Sequence, residues 1–224
     1  MRVTREGEPG TIVLPTNHLG RFGQFETALE ALIVPENTHL FRVRSGSSAL
    51  NANIGTRDRT GAWVWFIGDD HTFEPNVLMR LLAHNKDIVA PLVPMRFPPF
   101  ALVLYKKLNI LEQPGHETIF DSELYKPADL NGIKGLIKVD GLPQAGCLVR
   151  EKVWSTMPYP WFKVGKIKPD QIDDDSYFMW EAREKYGFDL WCDTDQSIAH
   201  LNTATVDVVR KPDGKYQVTF EIKK

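Results

Sequence analysis

Residues 61–76 read GAWVWFIGDDHTFEPN, and bulky apolar side chains from Trp63 to Ile67 run without a break into Gly68, Asp69, Asp70 and His71. An unbroken apolar run is expected of a central strand covered on both faces. Charge at its end therefore stands at the mouth of the core. Two neighbouring carboxylates repel each other unless a cation, hydrogen bonds or solvent compensates them. Acidic residues are also ordinary in turns, where Asp bonds to nearby backbone, so the stretch by itself leaves a cation site and a plain turn both open.

Working outward, strand-like and helix-like segments alternate. Residues 11–15 (TIVLP) predict a short buried strand, and residues 23–33 a helix with Phe25, Ala28, Leu29 and Leu32 on one face. Residues 38–44 predict a second strand, residues 47–57 a second helix, and residues 62–67 the central strand. A helix over 74–84 follows, with Pro75 at its first position, and then an apolar strand over 87–93. This order predicts a mostly parallel central sheet with right-handed crossovers, flanked by helices. Ligands of such sheets sit outside the carboxyl ends of the strands, and residues 68–71 lie at such an end.

Residues 106–138, rich in Pro, Gly and charge, predict a long loop or short edge elements. Residues 173–187 predict a helix led by Asp residues and ended by Gly187, and residues 206–222, alternating around Pro212, Asp213 and Gly214, predict a β-hairpin. One domain over 1–204 is expected, with a nucleotide-sugar half near 11–100, an acceptor half near 101–204, and the hairpin as a C-terminal extension over 205–224.

The bulk numbers exclude several classes. The chain has 224 residues, 42% hydrophobic and 25% charged, as expected of a globular protein with a substantial core. A formal net charge of −2 gives no general attraction to nucleic acid. No apolar run reaches the ~20 residues of a transmembrane helix, and the N-terminal residues show no secretory pattern. Cys147 and Cys192 are too few for a disulfide framework, which favours a cytoplasmic protein.

If a divalent cation sits on the carboxylates, their oxygens suit Mg²⁺ or Mn²⁺, and a histidine in the set favours Mn²⁺. His200 is one candidate for that histidine and His71 another; His200 reads equally well as a core or surface residue, and a lone loop histidine such as His71 is more often solvated than a ligand. Asp173, Asp174 and Asp175 are favoured at a helix start by capping and the helix dipole. If that start faces the same cleft, one of them would serve as a general base.

The ordered segments TIVLP, FIGDDHTF, EPNVLMRLL, PLVPMRFPPF, GLPQAGCLVREKVW, DDDSYFMWEAREKYG and DLWCDTDQSIAHL together resemble a GT-A (Rossmann-like) glycosyltransferase of the family 2-like kind, over roughly residues 11–201. The resemblance implies a nucleotide-diphosphate sugar donor, most simply a UDP-sugar, transferred with inversion to an acceptor hydroxyl on a protein or small molecule. The family's Asp-any-Asp metal motif would place Gly68 at its first position and Asp70 at the metal, with Asp69 near metal and nucleotide. An alternative register makes Asp69 and His71 the ligands, similar to some peptide-modifying GT-A enzymes. The family's late histidine matches His200. Its second acidic motif matches Asp174 and Asp175, with Asp175 as base. Pro15, Thr16 and Asn17 would hold the nucleotide base, with Arg44 and Asn53 following the second strand. Ala52 stands where the family carries Arg, so Arg57 or Arg96 would supply the phosphate contact. Gly146 would shape the acceptor side, and Trp161 and Phe162 would form an aromatic wall for a sugar ring, or else pack in the core. The small size fits a bacterial or phage enzyme, for example one decorating a virion protein. The rival readings are a nucleotidyltransferase-type enzyme on a similar sheet, which would carry a glycine-rich basic loop that residues 14–25 lack, and a non-catalytic nucleotide- or carbohydrate-binding module.

Overall fold

The computed structural model describes residues 1–16, 22–97, 99–111, 119–163, 174–202 and 204–222. Three short strands, β1 (Arg2–Thr4), β2 (Thr11–Pro15) and, after helix α1 (Gly23–Ala31), β3 (Ile33–Pro35), open the chain. Strand β4 (His39–Val43), helix α2 (Ser48–Arg57) and strand β5 (Trp63–Phe66) follow. Ser47 caps α2 by accepting a hydrogen bond from the Leu50 N–H at 3.3 Å. Next come β6 (His71–Phe73), α3 (Val77–Ala83) and β7 (Ile88–Leu92). Asn76 stands at the cap of α3, so Pro75 precedes the helix instead of occupying its first turn.

The stretch expected to be a long loop is a hairpin, β8 (Tyr105–Leu111) and β9 (Ile119–Leu124), then a 3-10 turn (Pro127–Leu130) and strand β10 (Leu136–Val139). Among the described residues, Pro127 opens the 3-10 turn and Gly132 and Gly135 follow it at positive φ, while Leu108 and Ile110 alternate inward from β8. Beyond lie β11 (Leu148–Arg150), α4 (Glu151–Thr156), α5 (Asp174–Glu184), the long strand β12 (Leu190–Leu201), and the predicted hairpin as β13 (Ala204–Arg210) and β14 (Tyr216–Ile222).

The large sheet runs β14-β13-β12-β7-β11-β5-β2-β4, with β10 and β6 also paired to β12. It is mixed, not mostly parallel. Strands β4, β2 and β5 are parallel neighbours, as are β7 and β12. Strand β11 runs against both β5 and β7, and β13 and β14 join the other end of the sheet antiparallel. An apolar run reports burial of both faces and says nothing of strand direction, so Leu148 and Val149, both fully buried, gave no sign of the reversal.

Both faces are covered, as residues 63–67 require. Ile12, Leu14, Trp63, Trp65 and Val89 pack with α1 and α3, while Val13, Val64, Phe66, Ile88 and Ala90 pack with α2, α4 and α5. This alternation is the two-residue period of the strand expressed as two cores.

Candidate functional site

Strand β5 ends inside the sheet, and its chain must turn at once. Gly68, Asp69 and Asp70 make that turn, after which β6 pairs with the far end of β12, with His71 directly opposite His200. The Leu201 N–H donates to the Asp70 carbonyl at 2.6 Å, which ties the turn to β12. A Cβ on residue 68 would lie 2.6 Å from Asp70 Oδ1 and 3.0 Å from His71 Nδ1. Glycine at the first position of the acidic motif thus has a packing reason: the two side chains fold back over it.

Asp70, His71 and His200 bring one carboxylate and two imidazoles together, with candidate donor atoms all within 4.8 Å of one another. His71 Nδ1 stands 2.7 Å from Asp70 Oδ1, and His200 Nε2 stands 3.4 Å from Asp70 Oδ2. The two rings stack with centroids 4.3 Å apart. His200 Nδ1 lies 3.2 Å from the Pro94 carbonyl. A carbonyl only accepts, so Nδ1 carries the proton and the Nε2 lone pair faces the carboxylate; metal-binding histidines are commonly oriented by such a hydrogen bond from the other ring nitrogen. Burial lowers the His71 pKa to about 4. Burial, reinforced by His71, lowers His200 to about 3. Both are neutral imidazoles near pH 7, the form that binds metals. Both ring nitrogens of His71 are buried with no hydrogen-bond partner among the described residues, and a cation beside Asp70 would satisfy one of them. The residues therefore fit a divalent cation. Asp69, 5% exposed, lies beside the group but is not part of it.

A fourth side chain reaches the cluster. Arg96 donates from Nη2 to Asp70 Oδ2. It rides on a loop held by the Pro94–Leu102 bridge and by Met95 N–H donating to the Ala101 carbonyl at 2.8 Å.

The cluster borders a cleft of about 320 Å³, whose walls include Pro15, Thr16, Asn51, Asp69, Asp70 and Gln144. Asn51 is fixed by accepting from the Ser45 N–H at 2.7 Å and the Ser45 hydroxyl at 2.6 Å. Asp175, in the first turn of α5, accepts from the Gln144 N–H at 3.1 Å, which brings this carboxylate to the rim. Nothing in the sequence signalled Gln144; it enters because its loop crosses the carboxyl end of β5.

Other expected residues stand elsewhere. The Asn53 amide is spent on backbone, donating to the Phe162 carbonyl at 2.7 Å and accepting from the Trp161 and Phe162 N–H groups at 3.0 and 3.1 Å. Trp161 and Phe162 are 6% and 2% exposed, packed with Trp154, Phe66 and Phe178, so the expected sugar wall is core. Gly146 is buried with φ +77°, and its carbonyl accepts from Trp65 Nε1 at 2.8 Å. Arg44 is exposed beyond β4 and does not line the cleft. Arg57 pairs with its neighbour Asp58 at 2.7 Å. Asp174 begins α5. Asn17 and Asp173 lie outside the described residues.

No protein-family model matches the chain, and no curated protein sequence does. Solved structures do. The crystal structure of A197 from STIV matches with TM-score 0.55 at 11% identity, over 93% of each chain. GalNAc-T7, determined with UDP, GalNAc and Mn²⁺, matches with TM-score 0.50 at 10% identity, over 86% of this chain and 44% of that one. The fold is thus similar to that of a glycosyltransferase. Among the described residues, no helix is long and apolar enough to cross a membrane.

Proposed function

We propose that the protein is a metal-dependent glycosyltransferase that moves a sugar from a nucleotide-diphosphate donor, UDP-linked in the first instance, to an acceptor hydroxyl. The observation that carries this reading is the convergence of Asp70, His71 and His200 beyond the carboxyl end of β5, with Asp70 and His71 on the wall of a cleft. A turn of acidic residues with no chemical task would not need two neutral histidines, one buried and one half-buried, facing one carboxylate. The bound cation would supply charge stabilisation to the departing diphosphate.

The chain's own groups divide the remaining work. Pro15, Thr16 and Asn51 form the wall nearest β2 and α2 and would hold the nucleoside, with Asp69 beside them. Arg96, which contacts Asp70, would meet a phosphate of the donor. Asp175 would take the proton of the acceptor hydroxyl as it attacks the anomeric carbon, which gives inversion. A product with retained anomeric configuration removes Asp175 from that role. The acceptor class proposed is a protein or small molecule. GalNAc-T7, determined with UDP and Mn²⁺, supports the choice of both as first probes.

Thermal unfolding with UDP, GDP, CDP and dTDP, each with Mn²⁺, Mg²⁺, Zn²⁺ or EDTA, tests the reading. At one hundred times Kd a ligand adds about 2.7 kcal/mol, or roughly 5–10 °C in Tm for a chain of this size. The expected result is such a shift for one nucleotide, dependent on the cation and lost in Asp70→Ala. If no nucleotide shifts the transition under any condition, the protein is not a nucleotide-sugar enzyme and Asp69 and Asp70 are turn residues.

A further inference from the structure

We infer that Arg96 is an exchangeable cation for Asp70: its guanidinium holds the carboxylate until a divalent cation arrives, and the displaced arginine then binds the donor's diphosphate. This rests on the proposed function for the identity of the second ligand, but not for the exchange itself.

Three placements lead to it. Arg96 Nη2 donates to Oδ2 of Asp70, the same oxygen that His200 Nε2 faces at 3.4 Å. Asp70 and His200 would hold the cation, and the guanidinium already contacts the same carboxylate oxygen. Two positive groups cannot share one carboxylate oxygen at contact distance without repulsion, so the arginine and the metal compete.

Second, Asp70 is the only ion-pair partner of Arg96 among the described residues, and its Nε is buried with no hydrogen-bond partner. A structural arginine buried for stability normally spends several of its five donors. Here most of the planar fork is left for a ligand that accepts two bonds side by side, as a phosphate does.

Third, the side chain is partly exposed while the loop that carries it is tied by backbone contacts. Its side chain is 28% exposed. The loop beneath it is closed by the Pro94–Leu102 bridge and by the Phe100 N–H donating to the Phe97 carbonyl at 2.9 Å. The same loop supplies the Pro94 carbonyl that orients His200. One segment thus fixes a metal-facing imidazole and carries the competing cation, which couples metal arrival to release of an anion-binding fork beside Asp70, a residue of the cleft wall.

The test is direct binding by calorimetry, with Mn²⁺ signals from electron paramagnetic resonance as a second readout, on the full chain and on Arg96→Gln and Arg96→Ala. Circular dichroism and thermal unfolding verify that each variant is folded. Removing the competitor is expected to tighten Mn²⁺ alone by roughly five- to tenfold, and to weaken UDP at saturating Mn²⁺ by about tenfold. The opposite signs are the signature, since a merely structural arginine would weaken both. If the unaltered chain binds Mn²⁺ and both variants bind it no more tightly, the exchange is wrong while the metal site stands. If the unaltered chain binds no Mn²⁺ at millimolar concentration, the exchange and the metal-dependent reading fall together. If Mn²⁺ tightens while UDP binding is unchanged, the competition holds and the diphosphate role is overturned.

Discussion

Asn53 and His200 show how partners decide what a polar side chain is for. Both lie near the cleft in sequence terms, and both resemble a family position. His200 spends one nitrogen on the Pro94 carbonyl and leaves the other facing Asp70. Asn53 spends its carbonyl oxygen on two backbone N–H groups and its amide on a carbonyl, all buried. It is a clamp for the segment entering the aromatic core. Asn53→Ala would leave two buried N–H donors without acceptors, at about 1–3 kcal/mol each. The expected outcome is a loss of about 2–5 kcal/mol in urea unfolding, with nucleotide affinity of the folded protein unchanged. A variant of full stability that binds nucleotide tenfold more weakly would return Asn53 to the donor site.

At the level of elements, helix α2 is set by contact rather than by propensity. Gly55, inside the helix, would be improved by alanine on propensity alone, by roughly 0.5–1 kcal/mol. A Cβ there would overlap Val13 Cγ1 on β2 and come within 3.2 Å of Val43 Cγ2 on β4. Val13, in the middle of β2, is fully buried in the core between the sheet and α2. Overpacking costs typically about 1–3 kcal/mol, so the steric effect wins. Gly55→Ala is expected to lower stability by about 1–2 kcal/mol in denaturant unfolding; an increase would show that α2 slides freely on the sheet. The sequence made α2 legible through Ser47, and the elements on either side through periodicity. It made Asp70, His71 and His200 legible as candidates, because a carboxylate at a strand end asks for a counter-ion. Strand direction, the β8–β9 hairpin and the burial of Trp161 and Phe162 were not legible. Apolar runs carry no arrow, and an aromatic pair after Pro160 reads the same whether it faces a sugar or Phe178.

Across the whole molecule, the C-terminal hairpin is part of the site's support and not a free appendage. Strand β12 holds His200 between two neighbours: His71 of β6 lies opposite on one side and Val206 of β13 on the other. Val206 and Val208 are 1% and 4% exposed, and the Tyr216 hydroxyl donates to the Thr194 carbonyl at 2.6 Å, behind the bulge between Asp193 and Ser197. That bulge redirects β12 from its parallel partner β7 toward β6, and so sets where His200 arrives. Tyr216→Phe removes one buried hydrogen bond and is expected to cost about 1 kcal/mol with Mn²⁺ affinity unchanged. Deleting residues 204–224 is a larger change, because the end of β12 becomes a bare edge with unpaired N–H and carbonyl groups. Imidazole orientation then relaxes, and supporting groups of this kind typically carry 10–100-fold in metal affinity. The shortened chain is expected to unfold at lower temperature and, while still folded, to bind Mn²⁺ at least about tenfold more weakly. Unchanged Mn²⁺ affinity in the shortened chain would mean that β6 alone positions His200, and would free the hairpin for a role in acceptor or subunit contact.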